Sequence, residues 1–299
     1  MPFILIKTMK NLKKKTYREN YLLKIGIPMF IGFTALGIIL SALNITDVSS
    51  RGTKFNEVDN VFLLIISAVI LAPLLEEFSF RGVFTENKYL KYVSYLGISI
   101  FIIILGSYFL IPLLVLFVLL VEFKTKNNFQ KYSYFVNALL FSLIHYKFSD
   151  FLMFSAYPNI LGTVGSALVL IWLVRNFGLW ASMLLHFFIN FSVISLGILG
   201  HENSDKTLRK VETNDFVMTY QYISLFENNG STEFHKDKEV KAYNTSFSAV
   251  NKLLCPNSEL EGIYFGKFNI TIKRKENSTK KLDCQTFQEL LNKSNISEE

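Results

Sequence analysis

Residues 61–84 read VFLLIISAVILAPLLEEFSFRGVF. The run from Val61 to Leu75 leads straight into Glu76 and Glu77, and apolar side chains resume at Phe78, Phe80, Val83 and Phe84. A helix crosses a bilayer core with about 20 apolar residues at ~1.5 Å rise each. The stretch therefore predicts one membrane-spanning helix with two carboxylates buried near its end. Pro73 has no N–H to give, so it predicts a kink that frees backbone groups one turn before the carboxylates. An ionisable side chain inside a span is costly, which makes each one a functional candidate by default.

Outward from this stretch the chain repeats the pattern. Tyr21–Leu43 is a run long enough to span, and Lys7, Lys10, Lys13, Lys14, Lys15, Arg18 and Lys24 lie before it or at its start. Beside a span, such positives keep the N-terminus in the cytoplasm. Residues 1–20 thus read as a basic cytoplasmic N-terminus, and no nucleic-acid partner is expected. A signal peptide is the rival reading, but the run exceeds an h-region of roughly 7–15 residues and no small-x-small cleavage site follows. Residues 89–123 are long for one span and short for two. Gly106, Ser107 and Pro112 offer a turn, and lysines on both flanks (Lys88 and Lys91, then Lys124, Lys126 and Lys131) favour a hairpin. Further spans are expected at 132–147, 151–173 and 178–199. Residues 21–200 are thus expected to be an all-α polytopic membrane helix bundle of about six to eight spans, multi-pass in the cell (inner) membrane.

Composition agrees. Of 299 residues, 51% are hydrophobic and 18% charged, below the roughly 25% charged of a soluble domain. This excludes disordered, collagenous, coiled-coil and small disulfide-scaffold classes. Before residue 201 there are 17 Lys and Arg against 9 Asp and Glu; from there on there are 14 against 15. The net charge of +7 therefore belongs to the membrane part. Residues 201–299 read as a small soluble domain of mixed or β type, with strands over 215–226 and 267–275 and a helix over 287–293. With seven spans this domain lies outside. The chain's two cysteines, Cys255 and Cys284, both fall in it, which there points to a disulfide.

Three polar constellations interrupt the spans. In the first, Glu77 and Arg81 stand i, i+4 with the acid N-terminal, the favourable order for a pair. Glu76 sits about 100° round the helix without that partner and is left for chemistry. The bland alternative is an ion-pair patch at a helix end. In the second, Phe141 lies one turn before His145, which read alone is a packing histidine. In the third, His186 and Asn190 are i, i+4, so both side chains face one spot. Jointly, Glu76 with His145 could polarise a water, with His186 and Asn190 donating to an oxyanion. Alternatively Glu76, His145 and His186 could be three ligands of a catalytic zinc. Zinc or no metal are thus both open, and there is no HExxH zincin motif.

The sequences EExxxR, FxxxH and HxxxN, in that order on successive spans, resemble the CPBP family, the CAAX prenyl endopeptidases and bacteriocin-processing enzymes also called the Abi family. The resemblance covers roughly residues 60–200 and rests on Glu76, Glu77, Arg81, Phe141, His145, His186 and Asn190. It implies a multi-span intramembrane endopeptidase, commonly classed as a metalloprotease. Glu76 is then the base, His145 its partner, and His186 and Asn190 the oxyanion donors, with Glu77, Arg81 and Phe141 in support. The implied substrate is a membrane-embedded or lipid-modified peptide or protein, and membrane lipid is the surrounding partner. Two departures stand out: 69 positions separate Glu76 from His145, with 89–123 looking inserted, and the tail lies outside the family core. Rival readings are a non-catalytic membrane immunity or partner-binding factor and a proton-coupled transporter. Counting rise from the expected span ends puts Glu76 about 8 Å, His186 about 12 Å and His145 about 20 Å from the cytoplasmic face, so His145 comes out too deep.

Overall fold

The computed structural model describes residues 2–43, 60–123, 127–227, 230–235, 238–256 and 266–294. The basic side chains of Lys7 to Arg18, the 44–59 loop, Lys124 and Lys126 lie outside the described residues. Two compact units emerge, Met1–Ser50 with Ala68–Asn190 and Arg51–Ser67 with Phe191–Glu299.

The helices in chain order are α1 Pro2–Ala42, α2 Val61–Ile65, α3 Ala72–Arg81, α4 Lys88–Ile104, α5 Ile111–Glu122, α6 Asn127–Leu143, α7 Ala156–Phe177 and α8 Leu179–Glu202. Their ends follow local chemistry. Asn60 caps α2, its side chain accepting from the Phe62 and Leu63 amides at 2.9 and 3.3 Å. Asn87 caps α4 through the Tyr89 amide at 2.9 Å. Gly106, at φ 65°, turns the chain between α4 and α5. The two helices form the expected hairpin: Lys91 at the start of α4 reaches Glu122 at the end of α5 at 2.8 Å, and Tyr95 donates to the same carboxylate at 2.8 Å.

Among the described residues four helices are long and apolar enough to cross a membrane: Glu19–Leu40, Val61–Phe84, Ala156–Phe177 and Leu179–Glu202. The expected six to eight is larger because it counted α4, α5 and α6, which have 17, 12 and 17 residues. Two expected boundaries also shift. The 132–147 span ends at Leu143, before His145, and the helix expected over 151–173 starts at Ala156. A short 3₁₀ turn, Phe148–Leu152, intervenes, and the Asp150 carboxylate accepts from the Lys147 amide at 2.8 Å to cap it. Pro158 then sits in the first turn of α7, where its missing N–H costs nothing.

In this unit α1 lies along α7 at backbone contact. A Cβ on Gly165 would fall 2.4 Å from the Phe30 nitrogen, and one on Gly26 would fall 2.8 Å from the Gly165 oxygen. Small residues let membrane helices approach this closely, so packing replaces the missing hydrophobic drive. The core gathers Phe80, Phe84, Phe117, Tyr134, Phe141 and Leu168 around the end of α3. There the chain leaves α3 through a 3₁₀ turn, Gly82–Phe84, and three neighbours occupy its carbonyls. Ser94 donates to Ser79 O, Asn137 to Phe80 O at 2.8 Å, and Arg175 to Phe84 O at 3.1 Å. Arg175 is itself held by Glu19 at 3.2 Å. In lipid each orphan carbonyl needs such a donor, so α4, α6 and α7 fix where α3 ends and how its carboxylates point.

The second unit holds a five-stranded antiparallel sheet, in the order β1-β2-β5-β4-β3. The strands are β1 Arg209–Glu212, β2 Phe216–Ile223, β3 Ser231–His235, β4 Glu239–Thr245 and β5 Lys267–Arg274. β2 and β5 fall where alternation placed strands. Their inward residues (Phe216, Met218 and Tyr220; Phe268, Ile270 and Ile272) pack against Phe247 and Val250 of α9 (Phe247–Leu254) and against Phe287, Leu290 and Leu291 of α10 (Cys284–Ser294). α9 was not expected, although Ser246 caps it through the Ala249 amide. Cys255 and Cys284 form a disulfide joining the end of α9 to the start of α10.

Candidate active site

The site is built from α3, the turn after α6, and α8. Glu76 and Glu77 follow a π-helical turn, Ile66–Leu71, that precedes α3. Such turns hold one residue too many for the α ladder and recur at functional sites. Pro73, in the first turn of α3, has no N–H to offer the carbonyls behind it.

Glu76 stands between two imidazoles, its Oε1 3.7 Å from His145 Nε2 and its Oε2 3.7 Å from His186 Nε2. The other ring nitrogens are both committed. His145 Nδ1 lies 2.8 Å from the Phe141 carbonyl. A carbonyl only accepts, so Nδ1 carries the hydrogen. His186 Nδ1 lies 2.9 Å from Glu77 Oε1 and donates there in the same way. Each ring thus turns Nε2 toward Glu76. Two bare ring nitrogens facing a carboxylate repel, so this is a place for a proton or for a molecule that brings protons.

Glu77 is the anchor. It is fully buried, accepts from His186 Nδ1–H and the Ser182 hydroxyl, and forms an ion pair with Arg81, whose Nε lies 3.6 Å away. Arg81 is fully buried too, with its guanidinium 3.7 Å from the centroid of the Phe141 ring. Cation–π attraction there is worth about 2 kcal/mol or more when desolvated. The Phe141 ring also meets His145 and His186 edge-on, centroids 5.4 and 5.8 Å away. One residue therefore packs the cation, fixes one imidazole through its carbonyl, and walls the other.

Six of the seven residues singled out in the sequence are thereby brought together. The seventh, Asn190, donates through Nδ2 to the Ala68 carbonyl of the π turn at 2.8 Å. His145 meets Glu76 despite the depth count, because that count began the helix at Tyr132 inside the bilayer. The helix starts at Asn127, in the polar stretch Asn127, Asn128, Gln130 and Lys131, which need not lie in the apolar core. Ser182 and Ala68 went unseen in the sequence. A serine in an apolar helix carries no signal except that it lies one turn before His186 on the same face.

Among the described residues no group of three His, Cys, Asp or Glu is spaced to hold a metal ion. As placed, Glu76, His145 and His186 do not fit a zinc ion.

Residues 58–192 match the family model described as type II CAAX prenyl endopeptidase Rce1-like. Through this segment the chain is similar to the Rce1-like family. The match spans all seven residues and agrees with the CPBP resemblance. It ends at 192, before the first strand of the sheet at Arg209. No curated protein and no solved structure matches the chain.

Proposed function

We propose that this Rce1-like chain is an intramembrane endopeptidase that hydrolyses membrane-embedded or lipid-modified peptides with a water activated by Glu76 and His145. The observation that carries the reading is Glu76 held 3.7 Å from both Nε2 atoms, each imidazole fixed from behind. A water entering there gives a proton to the Glu76–His145 pair, and its oxygen attacks the scissile carbonyl. The oxyanion that forms takes hydrogen bonds from His186 and Asn190. His186 donates through Nε2 once that atom is protonated, with Nδ1 held by Glu77 behind it. The proton held by Glu76 and His145 passes to the leaving amine, which restores the site. Arg81 and Ser182 keep Glu77 in place.

The finer topology belongs to the same reading. Counting α4, α5 and α6 as short spans gives a multi-pass protein of the cell membrane with residues 1–20 in the cytoplasm. Residues 201–299 then form an extracytoplasmic domain, where a disulfide is stable. The test uses the purified full-length chain in liposomes with quenched lipopeptides, prenylated CAAX peptides first, with and without chelator. Glu76→Gln and His145→Gln should each lower the rate by about 10²–10⁴-fold. Equal rates for wild type and Glu76→Gln would remove the hydrolase. Chelator sensitivity would show that a metal completes the site.

A further inference from the structure

Pro73 and Asn190 meet at one atom. In a π turn the carbonyl of residue i pairs with the N–H of residue i+5. For Ala68, inside the Ile66–Leu71 turn, that partner is residue 73, a proline with no N–H to give. The Ala68 carbonyl is left without its ladder donor at the point where the chain enters α3. The Asn190 Nδ2 takes it at 2.8 Å. The amide cannot be reversed, since Oδ1 against a carbonyl oxygen would set acceptor against acceptor.

We infer that Ala68 O is a positioning group for Asn190, and that Pro73 creates it by removing the competing donor. One amide N–H is spent on Ala68 O. Because the NH₂ group is planar, the second N–H then has a fixed direction. Asn190 lies one turn after His186 on the same face of α8, so the lock holds its free N–H on the side where His186 stands. The lock also ties α8 to the segment that delivers Glu76, so the base and the oxyanion donor keep a constant relation. This rests on the reading of Asn190 as an oxyanion donor. Preorganised donors stabilise a transition state because no reorganisation is left to do when charge develops.

The inference makes Pro73 and Asn190 interdependent, which a double-mutant cycle reads. Pro73→Ala restores an N–H for Ala68 O and releases Asn190. The unfolding temperature in detergent should then fall clearly for Asn190→Ala alone, which strands the carbonyl. It should fall much less for Asn190→Ala in the Pro73→Ala background, where residue 73 supplies the donor. In lipopeptide hydrolysis Pro73→Ala should lower kcat roughly 10-fold to 10²-fold with KM within about twofold, as for a misdirected catalytic group. A proline acting only on helix shape predicts no such interdependence.

Stability losses that simply add would overturn the lock. Interdependent stability with an unchanged kcat for Pro73→Ala would leave a structural tie and overturn the positioning role, with the protease reading intact. No hydrolysis by wild type on any lipopeptide would remove the protease reading and the positioning role together, while the stability cycle still decides the lock.

Discussion

Glu77 and Arg81 in the helical unit and Glu212 with its two lysines in the sheet unit are the same chemistry in opposite surroundings. Both members of the first pair are wholly inaccessible, 3.6 Å apart. Glu212 is 43% exposed, 2.9 Å from Lys275 and paired also with Lys210. Water and salt screen the exposed cluster, so holding it together yields little. Burial reverses the terms: desolvating two charges costs more than their attraction returns unless further hydrogen bonds fill the remaining valences. Glu77 fills them with Ser182 and His186, and Arg81 lays its face on Phe141. An ion pair kept at that cost is explained by what it holds, the Nδ1 hydrogen of His186.

The contrast breaks most sharply at Arg81. Arg81→Met strands the Glu77 carboxylate and should destabilise the helical unit by about 3–5 kcal/mol, whereas Lys275→Met should leave the sheet unit's stability nearly unchanged. Detergent unfolding and hydrogen exchange measure the two, and equal losses would end the comparison. Next in size is the sheet unit's own fastening. Cys255 and Cys284 are 29 positions apart, and a loop of that size is worth about 3–4 kcal/mol in the chain-entropy account. Cys255→Ser, or reductant, should speed exchange in β2 and β5 by the corresponding factor, and unaltered exchange would show that α9 and α10 dock without the bridge.

A smaller effect sharpens the buried side. Ser182→Ala removes one donor from Glu77, at about 1–3 kcal/mol for a buried acceptor left short. It should lower kcat and narrow the pH range of hydrolysis, and Ser182→Thr should restore both. Loss of stability with an unaltered pH profile would make Ser182 a packing residue.

The smallest effect lies on the exposed side. Lys210 and Lys275 hold the Glu212 carboxyl down at about 2, from an ordinary 4.5. A carboxylate lowered in the fold adds stability that is complete above 4.5 and is lost as pH falls through about 2. Asp283 is lowered as well, chiefly by the Thr286 amide, which donates to it at 2.9 Å at the start of α10. Titration from pH 5 to pH 2 should therefore loosen β1 and the start of α10, and Glu212→Gln should remove the β1 part. Exchange at β1 that ignores both acid and this substitution would refute the assignment.

Much of this contrast was legible in the chain. Buried charge in an apolar run marked Glu76, Glu77 and Arg81, and alternation marked β2 and β5. The hairpin over 89–123 was legible because Gly106 offers the turn and lysines flank both ends. The number of spans was not, because α4, α5 and α6 are apolar yet short, and length alone does not say whether a short helix crosses or packs. α9 was missed because eight residues are too few for periodicity to stand out.

By itself the sequence determined relations along one helix: Glu77 with Arg81, His186 beside Asn190, and a break at Pro73. Covalent geometry fixes these, since 3.6 residues per turn and a missing N–H do not depend on surroundings. Only the tertiary structure decided the partners across helices. Ser182 and His186 reach Glu77 across 105 and 109 positions, and Asn190 reaches Ala68 across 122. Such pairings depend on how each helix is rotated and seated against the others. Packing sets that rotation, through the Gly26–Gly165 contact and through the side chains that hold the carbonyls at the end of α3, and no local pattern records it.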